Sequence, residues 1–280
     1  MKAIEYAEKA SDIFVLSDSF IRIKELVDNE SSTIDDIADV ILIDPALSAS
    51  ILKLANSSIF NYPGKIDTIS KAVLVLGITE VYTLVIAYFT TDAFKSLSTD
   101  ADYLEEFWER SVDCALLLKY LGERLNMPNT ERLFLTGLLH NIGELVVKQF
   151  LPEQLPLCAI TRPNNLFVGK QKAIFDFTFG ECSAELLKLW QLPFSIIEPL
   201  RYQDDNNPLM SDESKLLYIA KRLMIRNLMF ENSPIENFVP LELLLDLNIT
   251  DDLLADAKAF CNMERFSILS ILKPSAMMLY

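Results

Sequence analysis

Helix punctuation recurs along this chain at the spacing of short helices. Thr33 stands three residues before Asp36, a pair that can close a helix start reciprocally, and Ile34, Ile37, Ile41 and Leu42 follow as an apolar stripe. Asp44-Pro45 restarts the chain. Asp44 caps, and Pro45 suits the first helical position because its missing N–H has no partner to lose there. The next stripe, Leu47, Ile51, Leu54 and Ala55, runs into Asn56-Ser57-Ser58, and Asn61-Tyr62-Pro63-Gly64 predicts a turn. Thr68 can cap a helix over 69–76 that Gly77 stops, and Thr79 can cap the one after it. The first hundred residues thus read as about five short helices.

The remainder carries the same signals. A polar stretch at 96–102 suggests a lobe boundary, giving lobes of 1–100 and 101–280. Helices are predicted over 107–125, stopped by Asn126 and Pro128, over 133–150, ended by Pro152, and over 182–190, closed by Pro193. Further helices are predicted over 214–230, 241–247 and 253–261. Asn164-Asn165 with Gly169, and the segment 204–208, read as loops. Only 7 of 280 residues are glycine, against an average near ~7%, so few positions can take positive φ and few tight hairpins can form. No alternating strand pattern or internal repeat is present. The expected fold class is all-α.

Charge excludes several roles. With 25 Lys+Arg against 40 Asp+Glu the net charge is −15, a field that repels polyanions, so neither nucleic acid nor an acidic membrane surface is an expected partner. The most apolar stretch, 72–89, is interrupted by Gly77, Thr79, Glu80 and Thr83. It reads as two packed core helices and not a membrane span. Residues 1–16 carry Glu5, Glu8 and Asp12 and lack the basic and apolar regions of a signal peptide. The four cysteines, at 114, 158, 182 and 261, form no CxxC, so buried free thiols in a reducing cytoplasm are expected. A mean hydropathy of +0.24 leaves self-association open.

Little in the sequence carries catalytic chemistry. The single histidine, His140, lies in Gly137-Leu138-Leu139-His140-Asn141-Ile142-Gly143-Glu144. On one continuous helix His140 and Glu144 would share a face, with Asn141 beside them. A metal site needs three or four converging ligands, and no other His can join it, so a hydrogen-bonded core histidine is expected. No phosphate-binding glycine loop or nucleophile elbow occurs. The acidic pairs Asp35-Asp36, Asp204-Asp205 and Asp251-Asp252 read as solvated caps or loop residues.

Two segments resemble the HDOD family, the HD-related output domain of bacterial signalling proteins. Ile43-Asp44-Pro45-Ala46-Leu47 through Lys53-Leu54-Ala55-Asn56-Ser57 to Leu76-Gly77 is similar to its DPxL…LxLANS…AxxxLG signature. Gly137-Leu138-Leu139-His140-Asn141-Ile142-Gly143 is similar to its GLLHDIG. Weaker echoes are Trp108-Glu109-Arg110-Ser111, Phe179-Gly180-Glu181-Cys182, Trp190-Gln191-Leu192-Pro193 and Ile219-Ala220-Lys221-Arg222-Leu223. Together they span roughly residues 15–230. Asp44, Pro45, Asn56 and Ser57 are read as fold motifs, because helix ends require such side chains.

The resemblance implies a two-lobed helical fold whose second lobe is built like an HD phosphohydrolase. It also implies where that family's metal ligands would stand, and this sequence departs there. Arg110 replaces the first His, and His140-Asn141 replaces the His-Asp pair. Cys182 and Gln203 stand where further His residues would, and Lys221 aligns with the distal Asp. A guanidinium and an ammonium repel a divalent cation. Arg110, His140, Asn141, Glu144, Cys182, Gln203 and Lys221 are therefore expected to form a vestigial pocket with no metal, cofactor or catalytic residue. Arg110 and Lys221 would pair with Glu144 or Glu181, or else form an anion pocket.

The expected function is a non-catalytic, cytoplasmic signalling module of a bacterium that docks other signalling proteins. No receiver, cyclase or kinase motif fits beside this domain, so a stand-alone relay is expected. The alternatives are a metal-dependent HD-type phosphohydrolase with unusual ligands and a non-hydrolysing nucleotide sensor.

Overall fold

The computed structural model describes the chain except residues 1, 58, 61, 98–100, 159–166, 206–209, 231–232 and 273–280. Ser58, Asn61, Asn164, Asn165 and Pro208, invoked above in turns or loops, lie outside the described residues. The described residues are helical with irregular connections and contain no strand. They divide into two compact units, residues 15–96 with 262–280, and residues 1–14 with 97–261. No helix among the described residues is long and apolar enough to cross a membrane.

The first unit contains helices Asp18–Asp28, Ile34–Ile43, Pro45–Ala55, Ile69–Leu76 and Ile78–Ala93. Thr33 and Asp36 form the reciprocal cap, with Thr33 N donating to Asp36 Oδ2 at 2.8 Å and Asp36 N to Thr33 Oγ1 at 3.2 Å. Asp44 Oδ1 accepts from the N–H groups of Ala46 and Leu47 at 2.9 and 3.0 Å, and Pro45 occupies the first helical position. Asn56 closes the same helix and reaches across ten residues. Its Nδ2 donates to the carbonyls of Leu52 (2.7 Å) and Ile66 (2.6 Å), while Oδ1 accepts from Ile66 N at 2.8 Å. Ser57 Oγ donates to Leu54 O at 2.6 Å. Leu47, Ile51, Leu54 and Ala55 are buried as the stripe predicts, but Leu42 is 55% exposed and Ala38 takes its place in the core. Helix Ile78–Ala93 is buried at every position from Val81 to Thr91, which explains the membrane-like hydropathy of this stretch. Gly77, at φ +95°, both ends one helix and starts the next. Thr79 therefore lies inside the helix and is not its cap.

The second unit is assembled around helices Ala101–Arg124 and Thr130–Leu139, which pack on each other. Asn126 and Asn129 take the left-handed conformation in the turn between them. Helix Ala101–Arg124 starts inside the polar stretch read as a boundary. A single cut near residue 100 does not describe the units, because helix Ala3–Ile13 packs on Phe179–Leu189 and Ile142–Phe150. Its Ala7 and Ala10 are fully buried, and Tyr6 lies 5.5 Å from Phe177 and 6.2 Å from Phe150 between ring centroids. With it, the first hundred residues hold six α-helices among the described residues. Helix Phe167–Phe175 contains Gly169, which is not a loop residue here. Of the remaining helices, Phe179–Leu189, Asp212–Met229, Leu241–Asp246 and Asp251–Leu272 shift the predicted bounds by a few residues or add turns, and Phe194–Tyr202 is a helix that the sequence signals did not mark. All four cysteines are buried thiols.

Candidate functional site

The second unit encloses a cavity of about 580 Å³. Three helical segments supply most of its polar groups. Helix Ala101–Arg124 presents Tyr103, Phe107, Arg110 and Ser111 from one face, at the spacing that brings successive turns into register. Helix Asp212–Met229 presents Lys221, Met224, Ile225 and Leu228 in the same way. The third segment is the histidine motif, which is not one helix. Thr130–Leu139 ends at His140 and Ile142–Phe150 begins after Asn141, so His140 and Glu144 come together across a helix break and not along a shared face.

Glycines allow this break to sit against its neighbours. A Cβ built on Gly137 would lie 2.5 Å from Ala115 Cα, and one on Gly143 would lie 2.2 Å from the Phe179 carbonyl oxygen. Gly143 N donates to Ser183 Oγ at 2.9 Å, and Gln203 Nε2 donates to the His140 carbonyl at 2.7 Å. Gln203 and Cys182 do not line the cavity. Gln203 is fully buried against the backbone of the break, and Cys182 lies behind Gly143, its Cβ 2.9 Å from that built Cβ. Burial pushes the Cys182 thiol up to about 12, with the Glu185 charge adding to it, so no thiolate forms at neutral pH.

Both cations have carboxylate partners. Arg110 Nη2 lies 2.8 Å from Glu144 Oε1, which also accepts from the Tyr103 hydroxyl at 2.6 Å, and Asn141 Nδ2 donates to Glu144 Oε2. Burial, reinforced by the Glu144 charge, raises the Tyr103 phenol far above its ordinary range and keeps it a donor. Lys221 Nζ pairs with Asp204 Oδ1 at 2.8 Å, their side chains 10% and 8% exposed. Asp204 is thus a buried ion-pair partner and not a solvated loop residue. Glu181 pairs with neither cation. It closes a cap with Thr178 and lies 3.6 Å from Lys172.

His140 is neutral. Its Nδ1 lies 2.7 Å from the Gly137 carbonyl, which can only accept, so Nδ1 carries the proton and Nε2 keeps its lone pair. Burial pushes its pKa down to about 3, and the Lys221 charge works in the same direction.

The residues present do not fit the metal centre that the HD resemblance implies. Of the positions at which the resemblance implies ligands, two carry cationic heads, each tied to a carboxylate, and a third carries an amide. Among the described residues no cluster of three or more His, Cys, Asp or Glu side chains is arranged to hold a metal ion. The sequence reading missed Tyr103 and Ser111. The signal was available, since Tyr103, Phe107, Arg110 and Ser111 follow one another at the four- and three-to-four-residue spacing of a single helix face.

Comparison with known proteins places this geometry in context. The HDOD domain family matches residues 13–206. A curated uncharacterized protein of Treponema pallidum (strain Nichols) is 28% identical over 221 residues, which is 77% of this chain and 42% of that protein. The chain thus spans less than half the length of that relative. Among solved structures, a candidate phosphohydrolase from Shewanella amazonensis SB2B superposes with a TM-score of 0.72 at 22% identity, covering 97% of this chain and 98% of that one. An HDOD domain protein of unknown function from Geobacter sulfurreducens gives 0.69 at 22% identity, covering 96% and 97%. A candidate signal-transduction protein from Marinobacter aquaeolei VT8 gives 0.67 at 21% identity, covering 94% of this chain and 60% of that one.

Proposed function

The chain belongs to the HDOD family, and from that premise we propose that it is a non-catalytic, cytoplasmic regulatory module of bacterial signal transduction, acting through contacts with other signalling proteins. One observation carries the reading. At the place where an HD enzyme would gather metal ligands, Arg110 and Lys221 are held by Glu144 and Asp204 at 2.8 Å each. A divalent cation entering there would meet two fixed positive charges and would have to break two ion pairs. The protonated Cys182 offers no thiolate nucleophile in exchange. Four buried thiols suit a reducing compartment.

Elemental analysis of the natively purified protein, with a phosphodiesterase assay on bis-p-nitrophenyl phosphate in added Mn²⁺, tests the proposal. We expect substoichiometric Mn, Fe, Zn and Ni and no turnover above the buffer rate. Tightly bound stoichiometric metal, or turnover lost in His140→Ala, would overturn it in favour of a phosphohydrolase.

A further inference from the structure

We infer that the cavity beside His140 binds an uncharged amphipathic small molecule, with an apolar body and one neutral polar end that both donates and accepts hydrogen bonds. The inference extends the non-catalytic reading, because it concerns a pocket whose charges are internally neutralised. At about 580 Å³ the cavity has the size of small-molecule sites, which run from about 300 to 1,000 Å³.

Two groups in the lining have unmet hydrogen-bonding capacity of complementary kinds. Ser111 is 1% exposed, and its buried hydroxyl has no partner. A buried hydroxyl without a partner is disfavoured unless something arrives to meet it. His140 is 6% exposed, and Nδ1 is committed to the Gly137 carbonyl, which leaves Nε2 as an acceptor with no protein donor. A polar end that offers a donor to the imidazole and an acceptor to the hydroxyl satisfies both.

The charged groups disfavour an anionic ligand. Arg110 and Lys221 are each matched by a carboxylate, and Glu106 adds a further negative charge to the lining. A phosphate or carboxylate entering here would have to displace Glu144 or Asp204 from its cation. The rest of the wall is suited to a hydrocarbon body. Phe107 and Phe179 face the cavity with Met224 and Ile225, and methionine adapts to irregular shapes. Leu228, 63% exposed, continues that apolar helix face outward.

The test uses the full chain and the neutral fluorophore N-phenyl-1-naphthylamine, displaced by decanamide or by decanoate. The two competitors share a chain length and differ in head-group charge. We expect saturable one-to-one probe binding, displacement by decanamide, and at least about tenfold weaker displacement by decanoate. Ser111→Ala should weaken decanamide about three- to tenfold, the range for one lost neutral hydrogen bond. Met224→Trp should narrow the cavity and weaken probe binding. Should the Trp variant misfold, Ser111→Ala decides alone. Absence of probe binding, decanoate binding as tightly as decanamide, or an unchanged decanamide affinity in Ser111→Ala would each overturn the inference. Metal is measured in the same preparation. Stoichiometric metal with intact amide binding overturns only the non-catalytic reading, and metal-free protein without amide binding overturns only the site.

Discussion

Arg110 donates from Nη2 to Glu144 Oε1 at 2.8 Å, and the same oxygen accepts the Tyr103 hydroxyl. With Asn141 on the other oxygen, Glu144 gathers three donors while Arg110 is about one-third exposed. Removing the acceptor should therefore cost more than removing the exposed donor. Glu144→Ala is expected to lose roughly 2–3 kcal/mol, and Arg110→Ala under ~1 kcal/mol. Urea denaturation of the two variants checks the order. Equal losses would show that the guanidinium, and not the carboxylate, organises the cluster.

The Lys221–Asp204 pair is more deeply buried, so breaking it should be more severe. Asp204→Ala leaves an ammonium without its partner and is expected to cost about 3 kcal/mol. Adding Lys221→Met to that variant should recover most of the loss, because an apolar side chain needs no counter-charge. A double variant no more stable than Asp204→Ala would contradict this account.

His140 makes stability pH-dependent. Its folded pKa lies near 3, below the ordinary imidazole value of about 6.5, so between these values the unfolded chain binds the proton that the folded chain refuses. This group's contribution is fully present above pH ~6.5 and is lost as pH falls toward ~3, by up to about 1.4 kcal/mol per pH unit. The stability difference between the native protein and His140→Ala should shrink on acidification, measured by denaturant titration from pH 7 to 4. A constant difference would mean that the ring protonates freely in the folded state.

Asp44 closes one helix and opens the next, accepting two N–H groups with one oxygen. Asp44→Ala should cost about 1 kcal/mol, visible as a fall in Tm of a few degrees, and Asp44→Asn should restore most of it. An Asn variant as weak as the Ala variant would assign the effect to charge and not to capping.

The caps of the first unit were legible because they are local. Thr33, Asp44 and Thr68 act on backbone groups within a few residues, and chain order alone exposes such pairs. Two of the outcomes that sequence could not foresee arise from packing. Helix Ala3–Ile13 reads as the start of the first lobe, yet its small residues Ala7 and Ala10 are buried where it packs on helices Ile142–Phe150 and Phe179–Leu189. Leu42 has the right spacing for the core and is exposed, because the periodicity fixes a face only to within a residue or two.

The site was legible in its residue types and in one pairing, Arg110 with Glu144, and not in the other, Lys221 with Asp204. The charges at Arg110 and Lys221 call for carboxylates, and the sequence offers many. Only the helix break at His140-Asn141 brings Glu144 to Arg110, and only the end of helix Phe194–Tyr202 carries Asp204 to Lys221. The unmet hydroxyl of Ser111 leaves no trace in sequence, since a partner is absent only once every neighbour has been placed.

The glycine on the amino-terminal side of the histidine motif has a consequence for how such chains are recognised. The backbone of Ala115 passes so near Gly137 that one added carbon has nowhere to go. That letter is set by clearance between two helices, whatever enters the pocket. A substitution there would be rejected by the architecture before any ligand was consulted. The motif can therefore identify a relative by its shape while remaining silent about its reaction.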